Sequence, residues 1–411
     1  MTETTIAGRV DDDVPFFPTA RTCPFSAPPA HTAFREAGGL HQVALWDGSR
    51  HWLVTRHEDI RAVLGSPAFT ADLRDEGYPL VHPNQRETEG GTFLRLDDPE
   101  HNRLRRILAQ EFSVRRTRSM RPRLLAVADQ LIDDMLATAG GPVDFVKAFA
   151  LPLPSHAMCL VLGVPYEAHA LFQQHAAAES NLDNSHADRE RHYLDALAYY
   201  DELIEYKSRH PADDMISRLL AEHTGPHAFP REDLPRLVAV LVGAGHETTA
   251  NALGLGTLAL LVNPDQRLKL RAHPELATST AEEMLRYWSV LSTDPRRLAV
   301  EDVEIGGTLV RKGEGVVVSL VAGNRDPRVF GGDADDIDIT RGVLGHVAFG
   351  FGTHQCLGQN LARVELEIAW PRLFERIPDL RLTVPEDQLV FKRNSIIFGV
   401  ESLPVAWGPP R

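Results

Sequence analysis

Two periodicities divide this chain of 411 residues. Over residues 40–54 apolar and polar positions alternate (Val43, Leu45, Trp46, Trp52, Val54) around Asp47-Gly48. A period of two centred on Asp-Gly predicts a β-hairpin. From residue 59 to 370 most long segments carry helical spacing instead, as at 121–137, 191–208, Leu234–Val262 and 280–288. Strand patterns return near Arg297: Val303–Ile305, Thr308–Val310 across a Gly306-Gly307 turn, and 315–320. Short strands recur over 380–405. The expected fold is mainly α with two small, mainly antiparallel β-sheets, which is neither a doubly wound sheet nor a simple bundle. No linker, repeat or low-complexity tract interrupts residues 1–411, so one continuous domain is expected, with 1–20 as a flexible tail.

Composition narrows the class. An apolar fraction of 43% and a charged fraction of 24% suit an ordinary globular core. No apolar run reaches the ~18–20 residues needed to cross a bilayer. The nearest, 237–262, is interrupted by His246, Glu247, Thr248, Thr249 and Asn251. The first 20 residues lack the basic start and apolar stretch of a secretory signal. Three cysteines (Cys23, Cys159, Cys356) give no disulfide framework, so a reducing cytoplasm is the expected location. A net charge of −14 disfavours nucleic acid as a partner. One segment runs against that sign: residues 101–123 hold Arg103, Arg105, Arg106, Arg115, Arg116, Arg118, Arg121 and Arg123 against the single acid Glu111. Charge runs are commonly solvated helix faces, but this local inversion suggests a dock for an acidic partner.

The chemistry concentrates near the C-terminus, in Phe349-Gly350-Phe351-Gly352-Thr353-His354-Gln355-Cys356-Leu357-Gly358. A cysteine there stands just before a strong helical pattern. Unpaired N–H groups and the helix dipole favour a thiolate at such a position, which is the form that ligates metal. Flanking glycines allow backbone to approach a flat cofactor. A lone cysteine is usually a small buried hydrophobe; four fixed positions in ten residues weigh against that here.

Phe-x-x-Gly-x-x-x-Cys-x-Gly resembles the haem-binding loop of the cytochrome P450 family, and three further motifs follow the family order. The long apolar helix contains Ala244-Gly245-His246-Glu247-Thr248-Thr249, where an acid and an alcohol are costly to bury without partners. A Thr hydroxyl bonded one turn back bends a helix and opens space. Glu283 and Arg286 form a Glu-x-x-Arg pair. His101 and Arg105 in Asp98-Pro99-Glu100-His101 onward, Arg297 at a strand start, and His354 match positions that hold the propionates in the family.

The resemblance spans nearly the whole chain and implies the cytochrome P450 fold. It implies haem b (iron protoporphyrin IX), with Cys356 as proximal iron ligand. It implies that Thr248 hydrogen-bonds bound dioxygen or hydroperoxide, that Glu247 helps deliver protons, and that Ala244 and Gly350 line the haem. Phe349 would pack on the thiolate side, and Gly358 would offer an N–H toward the sulfur. Glu283 and Arg286 would be structural, with a third partner, unassigned, from 335–341. The implied reaction is monooxygenation of a small organic substrate by O2, with electrons from NAD(P)H through ferredoxin reductase and ferredoxin. Soluble actinobacterial members are the nearest in phrasing, which suggests natural-product tailoring or xenobiotic oxidation by a monomer without a membrane anchor. Pocket walls are expected from 69–93, 162–192, 241–244, 290–294 and 395–397, with Asp294 a candidate polar contact. A nitric-oxide reductase of this fold lacks the helix acid and carries a basic distal loop; here Glu247 is present and Asp72, Asp75 and Glu76 make that loop acidic. Peroxide-driven relatives carry Arg-Pro in place of Glu247-Thr248. A haem sensor or carrier has no need of the acid–alcohol pair.

Overall fold

The protein is described from a computed structural model. It covers residues 14–83, 85–86, 92–138, 141–221, 229–293, 295–342, 345–392 and 394–408. The chain divides into two compact units, each discontinuous in sequence. The first contains Met1–Asn102, Leu291–Asp336 and Gly345–Cys356, and the second Arg103–Val290, Ile337–Leu344 and Leu357–Arg411.

The first unit is built on a sheet. β1 (His41–Ala44) and β2 (Arg50–Val54) form the predicted hairpin, with His41 opposite Leu53. β3 (Phe69–Thr70) is an edge strand. In the second unit β4 (Val143–Asp144) pairs with a strand from the C-terminus. β5 (Arg296–Ala299) returns to the first unit, followed by the separate hairpin β6 (Val303–Ile305) and β7 (Thr308–Val310), then β8 (Gly315–Val318). The five-stranded order is β1-β2-β8-β5-β3. β9 (Arg381–Leu382) and β10 (Pro404–Ala406) complete a three-stranded sheet with β4.

One detail departs from expectation: among the described residues there are three sheets, not two. Within the mainly antiparallel five-stranded sheet β2 pairs with β8 in parallel, Leu53 beside Val317. The reason lies in Val316-Val317-Val318, an apolar run buried on both faces. Val316 and Val318 pack with Val54, Ile60, Val63 and Leu64, while Val317 joins Phe17, Val43, Leu45 and Leu53. The same packing corrects part of the expected tail. Residues 1–13 lie outside the described residues, but Phe17 is buried and its N–H donates to Ala44 O at 2.8 Å.

The second unit is helical. Its principal helices are Val114–Leu136, Pro152–Leu162, His169–Ser180, His186–Arg209, Leu234–Val262, Ala277–Trp288 and Gln359–Arg376. Leu234–Val262 is buried along most of its length, which explains its nearly continuous apolar sequence. It meets Gln359–Arg376 at Gly256, where a Cβ would lie 2.2 Å from the Trp370 ring; Trp370 Nε1 donates to Thr257 Oγ1 at 3.1 Å. Gln359–Arg376 runs on through Pro371, the expected kink site. Arg372 Nε donates to Asp129 Oδ1 at 2.9 Å, tying it to Val114–Leu136.

Glu365 in this helix is an exception to the rule that buried charge is paired. It is 1% exposed and its Oε2 has no hydrogen-bond partner among the described residues. Burial pushes its carboxyl well above the usual range. The folded state therefore keeps a proton that the unfolded state gives up, and stability falls as pH rises between the two pKa values. Replacement by Gln removes that loss. Glu365→Gln is expected to raise the thermal midpoint at pH 8 by more than at pH 5; equal shifts would show that Glu365 is ionised in the fold.

Candidate active site

In the first unit the cysteine loop is a series of tight turns. Gly350 N–H donates to Val347 O at 2.8 Å, Gln355 N–H to Gly352 O at 3.1 Å, and Cys356 N–H to Phe349 O at 2.9 Å. Gly350 and Gly352 have φ of +71° and +76°, values only glycine adopts without strain. A Cβ at Gly352 would also lie 2.3 Å from Leu64 O. Gly352 is thus required by the turn and by helix His57–Gly65, a different reason from cofactor approach. Gly350 is open: the nearest atom to a Cβ there, Pro295 Cγ, is 4.0 Å away. Cys356 is half-buried, and Phe349 stands beside His346 with ring centres 6.0 Å apart.

The same unit gathers three of the four expected anion-binding side chains. His101 and His354 stack with ring centres 4.0 Å apart and planes 28° apart. His101 is 1% exposed, with Nδ1 3.6 Å from Asp98 Oδ1. Arg297 is buried on β5 and its Nη1 donates to Arg296 O at 2.8 Å. Arg296 projects from the opposite face, as successive strand residues must. Its Nη1 donates to Pro79 O at 2.9 Å and Gln85 Oε1 at 2.8 Å, so it belongs to the core. This settles which of the two adjacent arginines is the site candidate. The fourth, Arg105, is half-buried on helix Glu100–Glu111, one turn after His101.

In the second unit the acid–alcohol pair lies on Leu234–Val262. Thr248 Oγ1 donates to Ala244 O at 2.6 Å. Ala244 is exposed and Gly243, Gly245 and Thr248 are half-buried, although this helix is buried over most of its length. Glu247 is buried, and its Oε2 accepts from Lys392 Nζ and Asn251 Nδ2, each at 2.9 Å. Burial pushes its carboxyl up, but Lys392, His246 and Asn251 together outweigh burial and hold it below the usual carboxylate range. His246 is fully buried, its Nε2 3.2 Å from Leu151 O, and burial lowers its pKa. Gly358 precedes helix Gln359–Arg376, and a Cβ there would meet nothing within 4 Å.

Sequence reasoning missed Lys392 and Asn251. Asn251 was accessible as the residue one turn after Glu247; Lys392 is 145 residues away and carries no motif. Also missed was the third partner of the Glu283–Arg286 pair. Arg286 Nε and Nη2 each reach Glu283 at 2.8 Å, with both side chains nearly inaccessible. Asp338 N–H adds a bond to Glu283 at 2.9 Å and Arg341 Nε another at 3.3 Å. The partner from 335–341 is Arg341. Asp294, and residues 84 and 87–91 of the expected pocket wall 69–93, lie outside the described residues.

The donor set suits haem. Among the described residues no group of three or more His, Cys, Asp or Glu could hold a metal ion. An iron porphyrin brings most of its own ligands, so a single cysteine such as Cys356 suffices for it. Stacked imidazoles and a buried guanidinium suit its carboxylates. No described helix is long and apolar enough to cross a membrane.

A glycine-flanked cysteine loop on a mainly helical fold, with an acid–alcohol pair on the longest described helix, is the combination expected of a haem-thiolate monooxygenase. Comparison with known proteins agrees. The cytochrome P450 family model matches residues 181–394. Cytochrome P450-SU2 of Streptomyces griseolus is 46% identical over 94% of this chain and 94% of its own. The crystal structure of cytochrome P450 MoxA from Nonomuraea recticatena (CYP105) superposes with a TM-score of 0.89 at 42% identity, covering 96% of this chain and 99% of that one. Mycinamicin VIII C21 methyl hydroxylase MycCI from Micromonospora griseorubida, solved with mycinamicin VIII bound, gives 0.90 at 36% identity, covering 96% and 100%. The chain belongs to the cytochrome P450 family and is a bacterial-type, haem-dependent P450 monooxygenase.

Truncating one partner of a buried ion pair leaves an uncompensated charge. Arg286→Met should lower the unfolding free energy by about 3–5 kcal/mol, read by denaturant titration. The double variant with Glu283→Gln should recover part of that loss.

Proposed function

We propose that this enzyme inserts one atom of O2 into a small organic substrate, by hydroxylation or epoxidation, in natural-product tailoring or xenobiotic oxidation. Electrons come from NAD(P)H through ferredoxin reductase and ferredoxin, in the cytoplasm, and the enzyme acts as a monomer. The observation that carries this reading is the pair on the long helix: a buried, ionised Glu247 beside a Thr248 that opens toward exposed Ala244.

Haem, as iron protoporphyrin IX, would supply the activation of dioxygen. Cys356 would hold the iron. His101, Arg105, Arg297 and His354 would hold the propionates, while Phe349, Gly350, Gly358 and Ala244 would shape the bed of the ring. Thr248 commits its hydroxyl proton to Ala244 O, so its oxygen lone pairs remain to accept a hydrogen bond on the distal side. Glu247 stores and passes protons there. Three arginines on helix Val114–Leu136, Arg115, Arg118 and Arg123, are exposed and have no ion-pair partner among the described residues. Arg116 and Arg121 on the same helix are neutralised by Glu111 and Glu367, each at 3.1 Å. The three remaining cations suit a small acidic ferredoxin.

Cys356→Ala is expected to abolish the absorption band of the reduced carbon-monoxide complex that marks thiolate ligation. Survival of that band would remove the axial assignment. Thr248→Ala is expected to keep the band while product per NAD(P)H falls several-fold and hydrogen peroxide rises. Unchanged coupling would refute the role of Thr248.

A further inference from the structure

The side chain of Glu247 is 4% exposed, whereas that of Lys392, 2.9 Å from it, is 25% exposed. Lys392 therefore touches a buried carboxylate at its tip while part of its side chain meets water. Its position is constructed. Phe391 and Val400 form a bridge, Lys392 N–H donates to Gly399 O at 2.8 Å, and Glu401 N–H donates to Val390 O at 2.9 Å. A Cβ on Gly399 would lie 1.6 Å from Asn251 Oδ1, so the hairpin and Asn251 are in close contact. Asn251 Nδ2 in turn donates to Glu247 O at 2.7 Å and to its Oε2 at 2.9 Å.

The other titratable neighbour is His246, whose pKa burial lowers and whose Nε2 lies 3.2 Å from Leu151 O inside the core. Residue type is informative as well. Lys147, Lys207, Lys269, Lys312 and Lys392 are the chain's only lysines, and the ion pairs of Glu282 and Glu283 use arginine. Arginine stays charged at any physiological pH, whereas a lysine beside a buried acid can give up its proton.

We propose that Lys392 is the residue through which protons from solvent reach Glu247. The ammonium passes a proton from Nζ to Glu247 Oε2, leaving a neutral amine and a carboxylic acid. The amine takes a proton from water. The carboxyl hands its proton on to the distal side and returns to the carboxylate. One proton has moved inward and both side chains are as they began. The transfer also removes the ammonium charge that helps hold Glu247 ionised, and so moves the balance toward burial, which favours the neutral acid.

This inference rests on the monooxygenase reading, and the test separates the two. Wild-type haem-loaded protein must show the thiolate band and form product from NAD(P)H through ferredoxin; failure there removes the reading and the inference together. Given that activity, Lys392→Arg keeps the cation but cannot release a proton. It is expected to lose at least tenfold in product formation and to show a larger solvent isotope effect, with the band unchanged. Lys392→Ala is expected to be rescued by ethylamine and not by guanidinium. A readout without turnover is the infrared band of a protonated carboxyl. In Lys392→Met a band additional to that of Glu365 should appear at neutral pH, and that additional band should be absent from wild type and from the double variant with Glu247→Gln. Wild-type rate and isotope effect in Lys392→Arg, or rescue of Lys392→Ala by guanidinium as well as by ethylamine, would reduce Lys392 to a counter-ion and overturn the proposal.

Discussion

A carboxylate taken out of water must find a cation or surrender its charge, and the second unit is organised around that constraint. Desolvation of an ion costs several kcal/mol, so partners have to be close and well aimed. The unit shows three outcomes. Glu283 is held by Arg286 and Arg341, with a backbone N–H completing its shell. Glu247 is held by Lys392 and Asn251. Glu365 Oε2 has no hydrogen-bond partner among the described residues, and burial pushes its carboxyl toward the protonated form. The first arrangement fixes a helix against a loop. The second holds a carboxylate below its ordinary pKa with a lysine and an amide in place of arginines. The same residue type is thus accommodated in two ways, by different cations.

The constraint also separates the two arginines at the start of β5. Adjacent strand residues face opposite ways, so they cannot share a role. Arg296 is 0% exposed and has Pro79 O and Gln85 to satisfy it from within its own unit. That arrangement is complete. Arg297 donates to the backbone carbonyl of Arg296 and lies in the unit that also holds the stacked histidine pair. A buried guanidinium and imidazoles are chemistry suited to carboxylates, which supports the proposed propionate role of Arg297.

Legibility in the sequence followed the range of the interactions. Leu234–Val262 was read with its observed limits because its apolar run is set by burial of the helix itself. The β1–β2 hairpin was read because an Asp-Gly turn is local. The Cys356 loop, the acid–alcohol pair and the Glu-x-x-Arg pair are short motifs, and each was visible. The parallel β2–β8 pairing was not, since it joins segments more than 250 residues apart and no local pattern encodes it. Lys392 was invisible for the same reason. Arg341 was only half visible: its segment was known, but which residue of 335–341 faces Glu283 depends on loop conformation.

The glycines of the long helix show how a correct observation can carry the wrong cause. Gly245 reads in sequence as a flexible point in a helix, because glycine is a poor helix former. In the fold, a Cβ there would lie 2.6 Å from Met158 Sδ; at Gly256 it would meet the Trp370 ring, and at Gly243 the Glu179 carboxylate at 3.0 Å. These glycines let neighbouring side chains approach the helix backbone, and the resulting burial offsets their poor propensity. Opening at Ala244 and Thr248 therefore does not come from looseness. It comes from the Thr248 hydroxyl bonding Ala244 O while a small side chain covers little. A tightly held helix with one open turn keeps the alcohol and the acid in fixed orientations, which a flexible segment could not do.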